Sequence, residues 1–272
     1  MSYRKGHIKR KIKPKKSLLK APVFWYSILL LVLIAAVLYF LLFFDKFQIK
    51  NIIISGTQKI ETNDIKNIVL KETNKKLIKF LNFNVTSESI FLASLKNIQK
   101  QVLEDFPEAE SLKIKKNFPD SIAVEIKERQ PVAVYCSQNN EGCFYIDESG
   151  IIFERLQDLP SNMTFITQLT SSAQNYEGQE AVGKNIMGAV LKVKKNLADK
   201  FQVDVNEAVI SSSERLDIKT GESWQIFLNL SENSDVDLQI TKLNLLLAGK
   251  INLDERKNLQ YIDLRFERAY YK

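Results

Sequence analysis

From Val23 to Phe44 the chain carries no charged residue, and this run limits what the rest of it can be. In a helix rising about 1.5 Å per residue, 22 residues cover the roughly 30 Å hydrocarbon core of a bilayer. A cleaved secretory leader has a shorter apolar stretch, about 7 to 15 residues, and small residues at its cleavage site. Here the run closes on Tyr39, Phe40, Phe43 and Phe44, and Asp45, Lys46 and Phe47 follow directly. The expectation is an uncleaved transmembrane helix over residues 23–44.

Charge gives that helix a direction. The first 20 residues hold nine Lys and Arg and no Asp or Glu, and removing those nine leaves 30 basic against 32 acidic side chains. The formal charge of +7 therefore belongs to the tail and not to a basic face on the folded part, so the composition offers nothing for nucleic acid to bind. Lysines flanking a span stay on the cytoplasmic side, which makes residues 1–22 a cytoplasmic tail and puts everything after the span outside. Trp25 and Tyr26 suit the inner headgroup level.

Beyond the span, Phe47 to Ile54 has the composition of a strand stopped by Ser55 and Gly56. Thr62, Asp64, Ile65, Ile68 and Val69 give the cap and stripe of a short helix. A second helix is expected from Thr86 or Ser87, with Phe91, Leu95, Ile98 and Val102 on one face and Pro107 marking its end. Two alternating runs, around Leu112 and Ile114 and around Ile122, Val124 and Ile126, form a hairpin about the turn at Asn117 to Ser121. The order strand, helix, helix, strand, strand describes a small α+β unit over residues 47–128.

From residue 129 the texture changes to short strands with helices between them. Strands are expected at Val132–Cys136, Cys143–Asp147, Ile151–Phe153, Ala208–Ser212, Leu216–Lys219 and Trp224–Leu228. Helices are expected at Lys184–Lys200 and along Val236, Ile240, Leu243 and Leu247, the latter capped by Gly249. Alternation of Ile262, Leu264 and Phe266 with Asp263 and Arg265 marks a closing half-buried strand, and residues 268–272 are left as a short tail.

Three segments, FPDSIAVEIKERQPVAV (residues 118–134), YIDESGIIF (145–153) and YIDLRF (261–266), together resemble the FtsQ/DivIB cell-division proteins. The resemblance implies a single transmembrane helix plus an α+β extracytoplasmic region, in which a POTRA-like domain (47–128) precedes a β-rich domain with packed helices (129–267). It also implies a non-enzymatic scaffold in the plasma membrane at the division septum. Such a scaffold recruits small bitopic coiled-coil proteins of the FtsB/DivIC and FtsL type and helps regulate septal peptidoglycan synthesis. The matching partner-binding stretch is Gln260, Tyr261, Ile262, Asp263, Leu264, Arg265 and Phe266, where a partner strand adds to an open sheet edge. The competing reading makes Asp263 and Arg265 only the solvated face of a closing strand.

Catalytic constellations are scarce. The one histidine, His7, lies in the basic tail, so no Ser-His-Asp or Cys-His arrangement and no histidine-based zinc site is available outside. Gly178, Gly183 and Lys184 match the spacing of a phosphate-cradling loop, but Asn185 stands where Ser or Thr must ligate magnesium. Ser17 and Lys20 match S-x-x-K in a tail where nothing could depress the lysine. No catalytic, cofactor or metal residue is therefore expected. Cys136 and Cys143, with six residues between them across an expected hairpin, are either a disulfide or two free thiols. The functional rival to a scaffold is an anchored cell-wall hydrolase working through paired carboxylates, although no pair is placed for general acid and base. A third reading, an outer-membrane POTRA protein of the transport class, needs a series of amphipathic barrel strands that the sequence does not show.

Overall fold

The computed structural model describes residues 22–80, 83–137, 142–169 and 177–272; the basic tail lies outside them. Helix α1 (Pro22–Phe43) is apolar on every side and none of its residues is buried by protein. A helix of this kind needs an apolar surrounding. It is the one helix among the described residues long and apolar enough to cross a membrane.

Contacts gather the chain into two compact units that interleave along the sequence. The first comprises α1 and residues to Ile53, Val69–Ser94 and Lys115–Ala123; the second comprises Ile54–Ile68, Leu95–Ile114 and Val124–Lys272. In the first unit a 3-10 turn (Asp45–Phe47) leads from α1 towards β1 (Asn51–Ser55). Two further strands, β2 (Lys75–Phe80) and β3 (Phe83–Ser87), form an antiparallel hairpin. Helix α2 (Thr62–Thr73) has Thr62 as its first residue and not as its cap, carries Asp64 in its first turn, and buries its apolar stripe at Ile65 and Val69.

The expected helix start at Thr86 or Ser87 is corrected: both residues belong to β3, and α3 runs from Leu95 to Asp105. The physical reason is what the serines bond. Ser87 Oγ donates to the Leu42 carbonyl at 2.6 Å and Ser89 Oγ to the Leu41 carbonyl at 2.8 Å, so these hydroxyls cap the end of α1 instead of starting a helix of their own. Ile98 and Val102 remain the buried stripe of α3, while Phe91 is 42% exposed and outside it. β4 (Ala109–Asn117) and β5 (Ser121–Glu128) form as expected, and the sheet order is β1-β5-β4.

The second unit is dominated by a nine-stranded sheet. Its members are β6 (Ala133–Cys136), β7 (Cys143–Ile146), β8 (Ile152–Arg155), β9 (Phe165–Gln168), β10 (Val205–Ser212), β11 (Arg215–Thr220), β12 (Gln225–Asn229), β13 (Tyr261–Asp263) and β14 (Tyr270–Tyr271). Their order is β14-β13-β12-β11-β10-β9-β6-β7-β8. Three parallel pairings set it: β6 with β9, after the chain has passed through β7 and β8, β9 with β10 through α4 (Lys184–Phe201), and β12 with β13 through α5 (Val236–Gly249) and α6 (Leu253–Lys257). Met187, Val190, Val193 and Leu197 of α4 and Ile240, Leu243 and Leu247 of α5 share one core with Trp224, Ile226, Leu228, Ile262 and Leu264.

Two further expectations are corrected here. Residues 268–272 are not a tail, since Tyr270 and Tyr271 form β14. Gly249 is the last residue of α5, and Lys250 is its cap. Gly150 sits in the turn before β8 at φ +78°, where an added Cβ would lie 1.8 Å from the Val182 carbonyl oxygen, so backbone conformation and space both demand glycine. Across β6 and β7, Cys136 and Cys143 are register partners and are disulfide-bonded.

Candidate partner-binding edge

The seven residues of the expected site follow from how α5 and α6 return the chain to the sheet. The Asp235 side chain accepts the backbone N–H groups of Asp237 and Leu238 and so caps α5. Gln239 then grips the end of β12 in both directions: its Oε1 accepts Asn229 N–H at 2.9 Å and its Nε2 donates to Asn229 O at 2.8 Å. A capping box of Asn252 and Glu255 starts α6. The chain re-enters beside β12 with Gln225 opposite Tyr261, Ile226 opposite Ile262 and Phe227 opposite Asp263.

Within Gln260 to Phe266 the side chains divide. Ile262 and Leu264 are buried in the core, and Leu264 extends the ladder through its N–H to Phe227 O at 2.9 Å. Phe266 breaks the expected alternation, being 54% exposed, with its ring edge-on to Tyr270 at 5.9 Å. Asp263 is buried instead of solvated. Arg265 holds it by a two-pronged bond, Nε to Oδ1 at 2.9 Å and Nη2 to Oδ2 at 2.6 Å. Burial works to raise the Asp263 carboxyl, but the Arg265 side chain and backbone N–H, with the Arg215 charge, hold it below the usual carboxylate range. Arg265 is itself raised, chiefly by its bond to Asp263.

The sheet face beside these residues is a polar and aromatic strip. Arg215 and Arg265 both lie over the Phe227 ring, at 5.0 and 5.5 Å, and Phe227 stacks on Tyr261 at 5.6 Å. Further along, Arg215 pairs with Asp217 at 2.8 Å and Lys219 with Glu207 at 2.6 Å.

The expectation that Gln260–Phe266 is itself the open edge is corrected, because β14 lies outside β13. Tyr271 pairs with Ile262 and Tyr270 with Asp263, and Gln260 and Tyr261 exchange backbone hydrogen bonds with Lys272. The edge residues that sequence reasoning missed are therefore Tyr270 and Tyr271, both exposed. Their only sequence signal is a pair of aromatics, too short to show a period.

The opposite edge of the sheet is covered. Ile152 of β8 accepts Gly178 N–H and donates to Gln179 O, and Ala181 N–H reaches Gly150 O. Here the phosphate-loop look-alike finds its use: the segment from Gly178 to Gly183 lies along β8 and leads into α4. Among the described residues, β14 is thus the edge whose outer side has no strand partner, and such an edge is a template for another strand.

At the junction segment, the Glu128 carboxylate accepts the backbone N–H groups of Gln58, Lys59 and Ile60 at 2.8–3.1 Å. Burial opposes ionisation there, but these three donors and the Lys59 charge bring the carboxyl below its ordinary value. Arg129 pairs with Asp147, and its Nε donates to Pro107 O at 2.9 Å. Asp147 Oδ1 accepts the N–H groups of Ser149 and Ile151, so the YIDESG turn is built on it. No group of three or more metal-ligating side chains occurs among the described residues.

One apolar helix long enough to cross a membrane, a small α+β module and a crossover sheet with an open edge make up the architecture of the described residues. The family POTRA domain, FtsQ-type, matches residues 73–129, and the family Cell division protein FtsQ/DivIB, C-terminal, matches residues 134–265. The chain belongs to the FtsQ/DivIB family. No curated protein matches it. Its role is accordingly in cell division, and its family is a non-enzymatic scaffold that works with other division proteins.

Proposed function

We propose that this chain is a non-enzymatic scaffold that binds and recruits other membrane division proteins and so helps regulate septal peptidoglycan synthesis. It acts from the plasma membrane at the septum, with residues 1–22 in the cytoplasm and the POTRA-like (47–128) and β-rich (129–267) domains outside. Its partners are small bitopic coiled-coil proteins of the FtsB/DivIC and FtsL type, and the partner contributes a strand. The observation that carries this reading is the edge at β13 and β14. Among the described residues its outer side has no strand partner, Phe266, Tyr270 and Tyr271 are exposed around it, and Arg265 clips Asp263 by two hydrogen bonds. Main-chain bonds to such an edge give affinity, and exposed aromatics give specificity. The partner-binding residues Gln260 to Phe266 thus act with Tyr270 and Tyr271, the clip and buried leucine supporting the strand that the partner meets.

Among the described residues the fold lowers the Glu128 and Asp263 carboxyls through their hydrogen bonds and neighbouring positive charge, so these two brace the structure as ionised groups. A hydrolase acid needs the opposite. This supports binding over the hydrolase alternative.

The test is co-purification from native membranes, comparing the full chain with one ending at Arg268. A cut before Gln260 would also delete the buried Ile262 and Leu264 and unfold the sheet, so the cut must fall later. Loss of small bitopic division proteins from the shortened chain, with its circular dichroism unchanged, supports the edge. Retention of the same partners refutes it.

A further inference from the structure

Three segments of the first unit meet around the last turn of α1. Gln48 Nε2 donates to the Leu42 carbonyl at 2.8 Å, alongside the hydroxyls of Ser87 and Ser89, so side chains of the folded unit satisfy carbonyls that a helix end leaves unpaired. Backbone bonds tie the same place together. Ile49 N–H reaches Glu88 O, Ile90 N–H reaches Phe47 O, and Lys50 N–H reaches Asp120 O in the turn between β4 and β5. Ser87 and Ser89 are buried, so these bonds are shielded from water. The folded unit is therefore fixed to the end of α1 and does not hang from a free linker.

Phenylalanines continue outward from that end. Phe40 stacks on Phe44 at 4.3 Å and meets Phe47 edge-on at 5.9 Å; Phe47 meets Phe91 at 5.3 Å, and Phe91 meets Phe118 at 5.5 Å. Phe91 and Phe118 are 42% and 60% exposed, although neither lies on α1. An apolar row of this size facing water is unfavourable, at about 25 cal/mol per Å² left uncovered. Its continuity with the apolar surface of α1 identifies what covers it.

We infer that Phe91 and Phe118 rest in the headgroup and acyl boundary of the bilayer beside α1, so that the first folded unit docks on the membrane surface from which it emerges. This rests on the reading of α1 as a membrane span. The occupant is lipid: the row starts on a helix whose surroundings are acyl chains and leaves it by ring-to-ring steps, while the capping bonds keep the unit from swinging away. Aromatic side chains seat well at that boundary.

The experiment uses the full-length protein alone in phosphatidylcholine and phosphatidylglycerol vesicles, spin-labelled at one introduced cysteine under non-reducing conditions that preserve Cys136–Cys143. Labels replace Phe118, Leu33 in mid-span, or the exposed Leu245 of α5. Collision rates with oxygen, which concentrates in lipid, are compared with those of a water-soluble nickel complex. Expected is an oxygen preference at 118 like that at 33 and a nickel preference at 245. If 118 behaves like 245 while 33 stays in lipid, the inference is overturned and the span stands. Low collision with both reagents at 118 would mean protein covers it, in this preparation a second copy of the chain, which also overturns it. Nickel access at 33 would refute the span and the docking with it. As a second measure free of a label, the fluorescence that Phe91→Trp adds over the wild-type chain, which carries Trp25 and Trp224, should be quenched by lipids brominated near the headgroup; an added component that these lipids leave unaffected overturns the docking.

Discussion

Glu128 shows how one side chain can hold a distant loop. It is 8% exposed and accepts three backbone N–H groups some 70 residues earlier in the chain. Its carboxyl is lowered in the fold, so the stability it contributes is complete above the range in which an unfolded glutamate titrates and is lost as pH falls through the lower folded value. Glu128→Gln should cost about 1–3 kcal/mol at pH 7, because a neutral amide satisfies those donors less well. Urea unfolding of the full chain in detergent micelles measures this, and the variant should also lose part of the stability change on acidification. Leu264 is a second informative residue. At 1% exposure, Leu264→Ala should cost about 2–5 kcal/mol in the same assay, so loss of partners in that variant would report unfolding and not edge contact.

At the scale of elements, turns and staples set the register of the second unit. Gly150→Ala should be strongly destabilising, since its Cβ would meet backbone and its φ is positive. Gly188→Ala, inside α4 with nothing within 4 Å of the new methyl group, should instead stabilise by about 0.5–1 kcal/mol through helix propensity. Melting temperatures that move in opposite directions would bear out both. The disulfide across β6 and β7 closes a short loop, so Cys136→Ser with Cys143→Ser should lower unfolding free energy by about 2–3 kcal/mol. Unchanged denaturation midpoints with and without reductant would contradict this.

For the whole molecule, the charge asymmetry about the span predicts topology. Alkaline phosphatase fused after Lys272 should be active, since it folds only outside the cytoplasm, and exchanging the lysines and arginines of residues 1–20 for glutamine should reduce that activity. An inactive fusion in a full-length, membrane-bound product would reverse the assigned orientation. The capping hydroxyls should strengthen the attachment of the first unit to α1 alongside Gln48 and the backbone bonds. Ser87→Ala with Ser89→Ala leaves the Leu41 carbonyl without its Ser89 bond and should raise hydrogen exchange at Phe44 to Ile49.

Local pattern by itself determined the parts of this protein whose partners are neighbours in sequence or are solvent. The 22-residue span is legible because lipid demands an unbroken apolar helix, and α4, α5, β5, β10 and β11 are legible because periods of 3.6 and 2 record which face is buried. Only the tertiary structure decided where Ser87 and Ser89 spend their hydroxyls, since the carbonyls they cap lie some 45 residues earlier. The same holds for the sheet edge. Tyr270 and Tyr271 become β14 through pairing with β13, and a strand of two residues carries no period of its own. Burial of Asp263 likewise follows from its place between β12 and β14, a matter of strand order, which short-range sequence does not encode.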